Sequence, residues 1–409
     1  MADDRLALRE AMFALEHAGY HRDKPMTGAT AAPTDPVRVA VVGVAGMGQA
    51  HLFAISSLPD EYQLTAICDV DAEVAKKAAS DWKTSCYTTL EELLASDAAE
   101  AIVVAAPPFQ HGPISRSALE SDLHVYCEKP MVATVREGLE LAAAADRAGR
   151  AVQVGLQYRF RPSYERAADL VASGAIGKVF RANLTATSWF RPERYFRSRP
   201  WRGRWRTVGG GALLHHSIHQ LDAYLSMLGQ PARVTAQAFR TIHDIEVEDE
   251  VTALLEFDDG CRGVVAASTV DPVGANRIEL HGEAGTIVAE GDGLRRATFA
   301  GSPVGALSAR CEDDFPAITP AWIEEVTPTG REELDSLLRC HRDFVAALRS
   351  GGQPRNHPVA ALQAIAVANA IYLSAVRQRA VDVPIDPDEY QACYEELCEG
   401  RVSLRKLER

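Results

Sequence analysis

The stretch Val37 to His51, VRVAVVGVAGMGQAH, constrains this chain more than any other: an apolar run of strand length meets Gly43, Gly46 and Gly48 and continues as a helix-compatible sequence. Such a strand–turn–helix start leaves backbone N–H groups unpaired at the first helical turn, where they attract an anion such as the pyrophosphate of a dinucleotide. In that fingerprint the first glycine permits the tight turn, the second lets the backbone approach the pyrophosphate, and the third lets the helix pack on the strand. Ala45 stands at the second position, followed by Gly46 and Met47. Its methyl group is expected to push the pyrophosphate slightly outward. Asp69 closes the next apolar run, where a carboxylate accepts from both hydroxyls of the adenine ribose. The alternative task at this place is capping of the next helix, which Asp71 can serve equally well. No Lys or Arg directly follows Asp69 to receive a 2′-phosphate, so NAD is expected ahead of NADP.

From Val37 to about Gly155, short apolar runs (VRVAVV, LTAIC, AIVVAA, HVYC, VQVG) alternate with helical stretches, which predicts a doubly wound parallel sheet. Thr89 with Glu92 and Thr134 with Glu137 read as capping boxes. After Arg161 the pattern changes to long alternating segments, VFRANLTATS, RVTAQAF and EVTALLEF-DDG-CRGVVAAST. The last is a hairpin around Asp259-Gly260, so a second α/β domain with a mostly antiparallel sheet is expected. The division is 1–36 as an extension with a short helix over Leu6–Ala18, 37–157 as the nucleotide domain and 158–409 as the substrate and oligomerisation domain. Residues 301–335 lack periodicity and read as loop-rich, while Pro358 to Arg379 is helical in period.

At 409 residues the chain is long enough for two cores. No window reads as an uninterrupted apolar span, and the acidic N-terminus does not resemble a secretory signal, so no membrane association and a cytoplasmic address are expected. The eight cysteines form no C-x-x-C pair and read as reduced core residues. A net charge of −13 argues against nucleic acid as a partner and for a small molecule.

At Glu128-Lys129-Pro130 the sequence resembles the Gfo/Idh/MocA family, named for glucose–fructose oxidoreductase, inositol dehydrogenase and a rhizopine-catabolism protein. The glycine-rich start ending in His51, the AAPPFQH segment with Pro107 and His111, the GLQYRFRP stretch with Tyr158 and Arg159, and Gly209-Gly210-Gly211 leading to His219 and Asp222 are similar too. The resemblance covers roughly Val37 to Pro384. It implies a Rossmann domain followed by an α/β domain with a large open sheet, homodimers or homotetramers, and a sugar, cyclitol or similar polyol bound between the domains. It also implies cofactor contacts from Pro107, His111, Glu128 and Lys129, a Lys129 that touches substrate and nicotinamide ribose, and His219 as acid/base. Imidazole suits that task because its pKa lies near neutrality, and an ammonium group can stabilise charge developing on oxygen.

Many relatives have aspartate four residues before the catalytic histidine; here it is His215, which can bond a substrate hydroxyl but supplies no fixed negative charge. Asp222 either orients His219 or bonds within its helix. His215 and His219 also have the spacing of zinc ligands, but without the Glu of H-E-x-x-H, and no metal is expected. Residues 189–206, WFRPERYFRSRPWRGRWR, interleave seven arginines with aromatics, and Trp201 and Arg202 are read as part of a sugar or anion platform at the cleft, with an oligomer contact as the competing reading. Tyr158 and Arg159 are weaker candidates for the same wall. The function expected is hydride transfer at a carbinol carbon; an NAD-recycling glycosidase and a non-catalytic dinucleotide-binding regulator are the alternatives.

Overall fold

The computed structural model describes residues 35–299, 304–314 and 320–406, so the helix expected over Leu6–Ala18 lies outside the described residues. The first sheet is six-stranded and parallel: β1 (Val37–Val42), β2 (Tyr62–Cys68), β3 (Ser85–Tyr87), β4 (Ala101–Val104), β5 (His124–Cys127) and β6 (Val152–Val154), in the order β3-β2-β1-β4-β5-β6. The order reverses beside β1, which opens a crevice at the carboxyl ends of β1 and β4. β1 and β4 are buried at nearly every position, as strands covered by helices on both faces must be.

The second sheet has ten strands: β7 (Val179–Ala186), β8 (Arg233–Arg240), β9 (Glu250–Glu256), β10 (Arg262–Ser268), β11 (Asn276–Gly282), β12 (Gly285–Glu290), β13 (Gly293–Thr298), β14 (Ala321–Val326), β15 (Val381–Asp382) and β16 (Arg405–Lys406). Its order is β14-β13-β12-β11-β7-β10-β9-β8-β15, with β16 beside β8; only β7–β10 and β8–β16 are parallel pairs. β9 alternates buried and exposed residues, so one face meets the core and the other is open.

Four expectations need correction. Residues 301–335 hold a helix, Val304–Arg310, as well as β14 and the start of the helix Glu332–Ser350, because short elements at a sheet edge carry little apolar period. That last helix returns to the first sheet: Cys340, Phe344 and Val345 are buried in one cluster with Val39, Val41, Leu52 and Tyr126. The nucleotide half is therefore completed from beyond residue 157. Pro358–Arg377 is long and apolar enough to cross a membrane by length and composition, and 72% of that span is buried inside the molecule. It packs between β8 and the helix Val135–Ala148, and an all-round apolar helix is what such a central place requires. Of the cysteines, Cys86 and Cys311 are exposed rather than in the core, and none is paired.

Candidate active site

The loop after β1 shows why each glycine is there. A Cβ on Gly43, at φ +84°, would lie 2.7 Å from Ala106 N in the loop after β4, and one on Gly48 would lie 2.0 Å from Gly43 O. Both serve close packing. Gly46, at φ +54°, has no atom within 4 Å of an added Cβ, so the open side of the loop is there, at the start of the helix Met47–Ser56, flanked by exposed Ala45 and Met47. A phosphate group fits such a place, with room above the backbone and unpaired N–H groups below. Asp71 caps the helix Ala72–Trp82 by accepting from Glu73 N–H and Val74 N–H, so the capping task does not fall on Asp69. Asp69 instead accepts from Val44 N–H and Asp71 N–H, each at 3.0 Å, and joins the glycine loop to the end of β2. Pro107 opens the short turn Pro108–Gln110 at the rim of the same crevice.

Two residues expected at the cofactor turn inward. Glu128 is buried; it accepts from His51 Nε2 at 2.9 Å and from its neighbour Lys129 N–H at 3.0 Å. Burial opposes its ionisation, but His51 and then Lys129 hold its pKa below the ordinary carboxylate value. With Glu128 ionised, His51 Nε2–H donates to it; His51 Nδ1 and His341 Nε2 lie 2.9 Å apart and share a hydrogen bond, and His341 Nδ1 lies 3.1 Å from Tyr62 Oη. The chain of bonds anchors the Glu128-Lys129-Pro130 turn to the helix Glu332–Ser350. His111 is likewise buried, its ring between Pro130 O (2.8 Å) and Ala106 O (2.7 Å), so it ties two loops of the crevice together. Polar side chains this deep find protein partners, because desolvation without one is costly.

Lys129 precedes a cis peptide to Pro130, and its Nζ donates to His215 O at 2.9 Å. Burial lowers its pKa. The segment it reaches is a π-helical turn, Ala212–His216, placed by three walls. A Cβ on Gly209 would come 2.7 Å from Ala133 Cβ, on Gly210 2.2 Å from Tyr372 Oη, and on Gly211 1.8 Å from Glu248 O. Glu248 is fully buried and accepts from Gly211 N–H (2.8 Å), Leu213 N–H (3.0 Å) and Tyr372 O–H (2.7 Å), while Leu214 N–H donates to Tyr372 Oη. Burial pushes its pKa up to about 7 against these donors.

His219 lies in the first turn of the helix Ile218–Leu228 and stacks on Tyr158, centroids 4.7 Å apart and rings 17° from parallel. Its Nδ1 has no hydrogen-bond partner among the described residues, and the same is true of His215 Nδ1. Burial, then the charge of Lys129, lowers both pKa values well below 6.5, and burial also lowers that of His216. Both imidazoles are thus neutral and able to accept a proton at pH 7. The spacing of His215 and His219 spans the end of the π-turn and the start of the next helix, so they do not sit on one continuous α-helix.

Arg159 is not spent on the cleft. Its guanidinium forms a two-pronged pair with Asp222, both contacts 2.6 Å, and donates to Ala360 O at 3.2 Å. Asp222 therefore anchors the helix Ile218–Leu228 to the turn Gln157–Phe160 rather than orienting His219. Tyr158 holds its place between His219 and the Arg161 guanidinium, 3.6 Å from its ring centre.

The arginine–aromatic segment does fold beside His215. Tyr195 Oη lies 3.4 Å from His215 Nε2, Trp201 meets that ring edge-on at 5.8 Å, and the guanidinium carbons of Arg202 and Arg191 lie 3.9 and 4.8 Å from the Tyr195 ring centre. The structure thus links Lys129, Trp201 and Arg202 to His215, by the His215 carbonyl, its ring and the Trp201 ring in turn, and Tyr158 to His219. Sequence reasoning missed Tyr195, visible only as one aromatic among several, and Glu248, Tyr372 and His341, whose partners are distant in the chain and leave no local signal.

The model of the oxidoreductase family with an NAD-binding Rossmann fold matches residues 37–156, and that of the GFO/IDH/MocA C-terminal domain matches 164–288. D-apiose dehydrogenase of Paraburkholderia graminis is 25% identical over 359 residues, 84% of this chain and 89% of that protein. D-xylose 1-dehydrogenase (NADP(+)) 2 of Haloferax volcanii is 28% identical over 350 residues, 84% and 98% of the two. Among solved structures, the WlbA dehydrogenase of Bordetella pertussis, in complex with NADH and UDP-GlcNAcA, shares the fold at TM-score 0.73 and 24% identity, covering 86% of this chain and all of that one.

Proposed function

This chain belongs to the Gfo/Idh/MocA oxidoreductase family, and we propose that it transfers a hydride between NAD and a carbinol carbon of a sugar or cyclitol, with His219 as proton acceptor and Lys129 as the cation at the reacting oxygen. The observation that carries this reading is that Lys129 bonds the carbonyl of His215 and bears by its charge on a neutral His219, four residues on and stacked on Tyr158, in a chain whose first glycine loop is open. Oxidation of a carbinol needs a base within reach of the hydroxyl, and His219 offers a neutral imidazole whose Nδ1 has no partner among the described residues, a weaker base than a free imidazole because burial lowers its pKa. Lys129 offsets negative charge as it builds on oxygen. His215, whose Nε2 faces Tyr195, contributes a hydrogen bond to a substrate hydroxyl, and Trp201, which meets the His215 ring edge-on, gives a flat surface for a ring, while Tyr158, covered by His219 and Arg161, holds His219 in place. The relatives named for apiose and xylose support a sugar as substrate.

The Gly43–Gly48 loop and Asp69 would hold the dinucleotide, which supplies the hydride acceptor. The run Asp69-Val70-Asp71 favours NAD: it presents two carboxylates and no cation to a 2′-phosphate. On the open face of the second sheet, Leu254 and its cross-strand partner Val264 are exposed at 56% and 37%, which supports self-association through that sheet. The test is a panel of pentoses, hexoses and cyclitols with either cofactor, followed by absorbance of the reduced form. NAD is expected to give a kcat/KM at least about tenfold above NADP, the weight of roughly 1.4 kcal/mol. Turnover should survive exhaustive chelation. Preference for NADP contradicts the Asp69 assignment, and activity restored by added zinc contradicts the division of roles between His219 and Lys129.

A further inference from the structure

Among the described residues, no carboxylate neutralises the cations of Arg191 and Arg202. Arg202 Nη1 donates to Tyr195 O (3.0 Å) and Ser198 Oγ (2.6 Å), both uncharged acceptors, and among the described residues neither guanidinium pairs with a carboxylate. The Nε of each is buried without a hydrogen-bond partner. The contrast lies close by: Arg159 is paired with Asp222, and Arg161 with Asp292 and Glu333. Acid residues outnumber bases in the whole chain, 56 to 43, so partners were not scarce. Lys129 adds a third positive charge on the same wall, and the neutral histidines 215, 216 and 219 subtract nothing. A partly buried cation is costly unless an anion meets it, and guanidinium forks match carboxylate and phosphate oxygens in geometry. Beyond Arg202 opens a cavity of about 490 Å³. Arg197, Arg199, Arg204 and Arg240 line it against Glu193, Asp244 and Glu246, and Arg240 Nε is also buried and unpartnered.

We propose that the substrate is an anionic sugar, one bearing a carboxylate or phosphate remote from the reacting carbinol, and that Arg191 and Arg202 receive that group. This rests on the hydride-transfer reading above and adds the charge of the substrate to it. The cations are placed by the ring of Tyr195, which itself reaches His215, and the His215 carbonyl receives Lys129, so the anion is held at a set distance from the residues that meet the substrate hydroxyls. Orientation follows from that fixed distance.

Matched trios test this: D-glucose, D-glucuronate and D-glucose 6-phosphate, and the same in the galacto and manno series, with NAD and NADP. The anionic member is expected to exceed its neutral partner in kcat/KM on the order of 10–10²-fold, the worth of a charge-assisted hydrogen bond. The advantage should shrink as KCl is raised. Whether uronate or phosphate ester is preferred identifies the source of the anion. In Arg191→Met and Arg202→Met the anionic-to-neutral ratio should fall by a similar factor, and the Lys variants should regain part of it, with NADH binding and Tm reporting that the fold is kept. Neutral sugars turned over as well as their anionic partners, or a ratio the variants leave in place, overturn the proposal while the hydride reading stands. If no sugar of either charge reduces a cofactor, the hydride reading fails for these sugars, and titration of the protein with inorganic phosphate and with acetate decides the anion site. Binding lost in the double Met variant supports it, and no binding to the unaltered protein overturns it.

Discussion

The chain has two glycine-rich turns at its cleft, and they use glycine for opposite ends. At Gly43–Gly48 two glycines close the loop on its own backbone and on the loop after β4, so that the third, Gly46, can face open space. At Gly209–Gly211 every added Cβ would strike protein: Ala133, Tyr372 and Glu248 in turn. The first turn makes room for a ligand; the second gives up all its room to fix a π-turn whose carbonyl at His215 receives Lys129 and whose end delivers His219. A run of glycines therefore marks a close approach without saying of what, and only the walls decide between a cradle and a buttress.

The largest effect expected from this contrast belongs to Gly211→Ala. The steric penalty, a Cβ at 1.8 Å from Glu248 O, is on the order of 3 kcal/mol or more. Stability and turnover should fall together, measured by denaturant titration and steady-state rate; a variant near wild type in both would erase the distinction between the turns.

Glu248→Ala should follow, because it leaves Gly211 N–H and Leu213 N–H buried without their acceptor, at about 1–3 kcal/mol each. Here kcat should drop more than cofactor affinity, since the turn positions His219 and not the glycine loop.

Acidification separates the regions next. His215, His216 and His219 all have pKa values lowered by burial, so the native state takes up fewer protons than the unfolded chain below pH 6.5. Their contribution to stability is present above pH 6.5 and is lost as pH falls; His124 and His357, lowered to about 4, extend the loss toward that pH. Hydrogen exchange corrected for intrinsic rates should show peptides over 209–222 losing protection before those over 37–56. Loss in the reverse order would place the weak point at the first turn.

The smallest effect belongs to Gly46→Ala, where an added methyl meets no atom and the cost is about 1–2 kcal/mol of backbone strain at φ +54°. NAD affinity should weaken while the melting temperature moves little.

What the sequence shows and what it hides divides along similar lines. β1 and β5 begin and end where the apolar runs VRVAVV and HVYC do, because a strand covered on both faces is apolar throughout. β3 is only Ser85–Tyr87, exposed at two of its three positions, and has no such signal. The Thr134–Glu137 box forms with both halves, whereas Thr89 contributes a hydroxyl cap to Glu92 N–H. The hairpin at Asp259-Gly260 is legible because turn chemistry is local: Gly260 takes φ +88° and Cys261 N–H donates to the Asp259 carboxylate. In the site, Lys129 and His219 follow from motif, but the partners of Glu128, Arg159 and Gly211 do not. His51, Asp222 and Glu248 reach them across 77, 63 and 37 residues, and pairings at such separation leave no periodic trace. A motif names the polar residues of a turn, and three-dimensional packing decides which of them face the ligand.

The division of labour between Lys129 and His219 is the central claim, and single-turnover hydride transfer measured across pH alongside cofactor binding tests it most directly. His219→Ala should slow transfer on the order of 10²–10⁴-fold at neutral pH, with part of the rate returning at alkaline pH as hydroxide replaces the lost base. Lys129→Ala should also lose orders of magnitude in rate, while both variants bind NAD within a few-fold of the unaltered protein through the glycine loop and Asp69. A His219→Ala enzyme that transfers hydride at a near-normal rate at pH 7 would contradict the account and move the base to His215 or Tyr158.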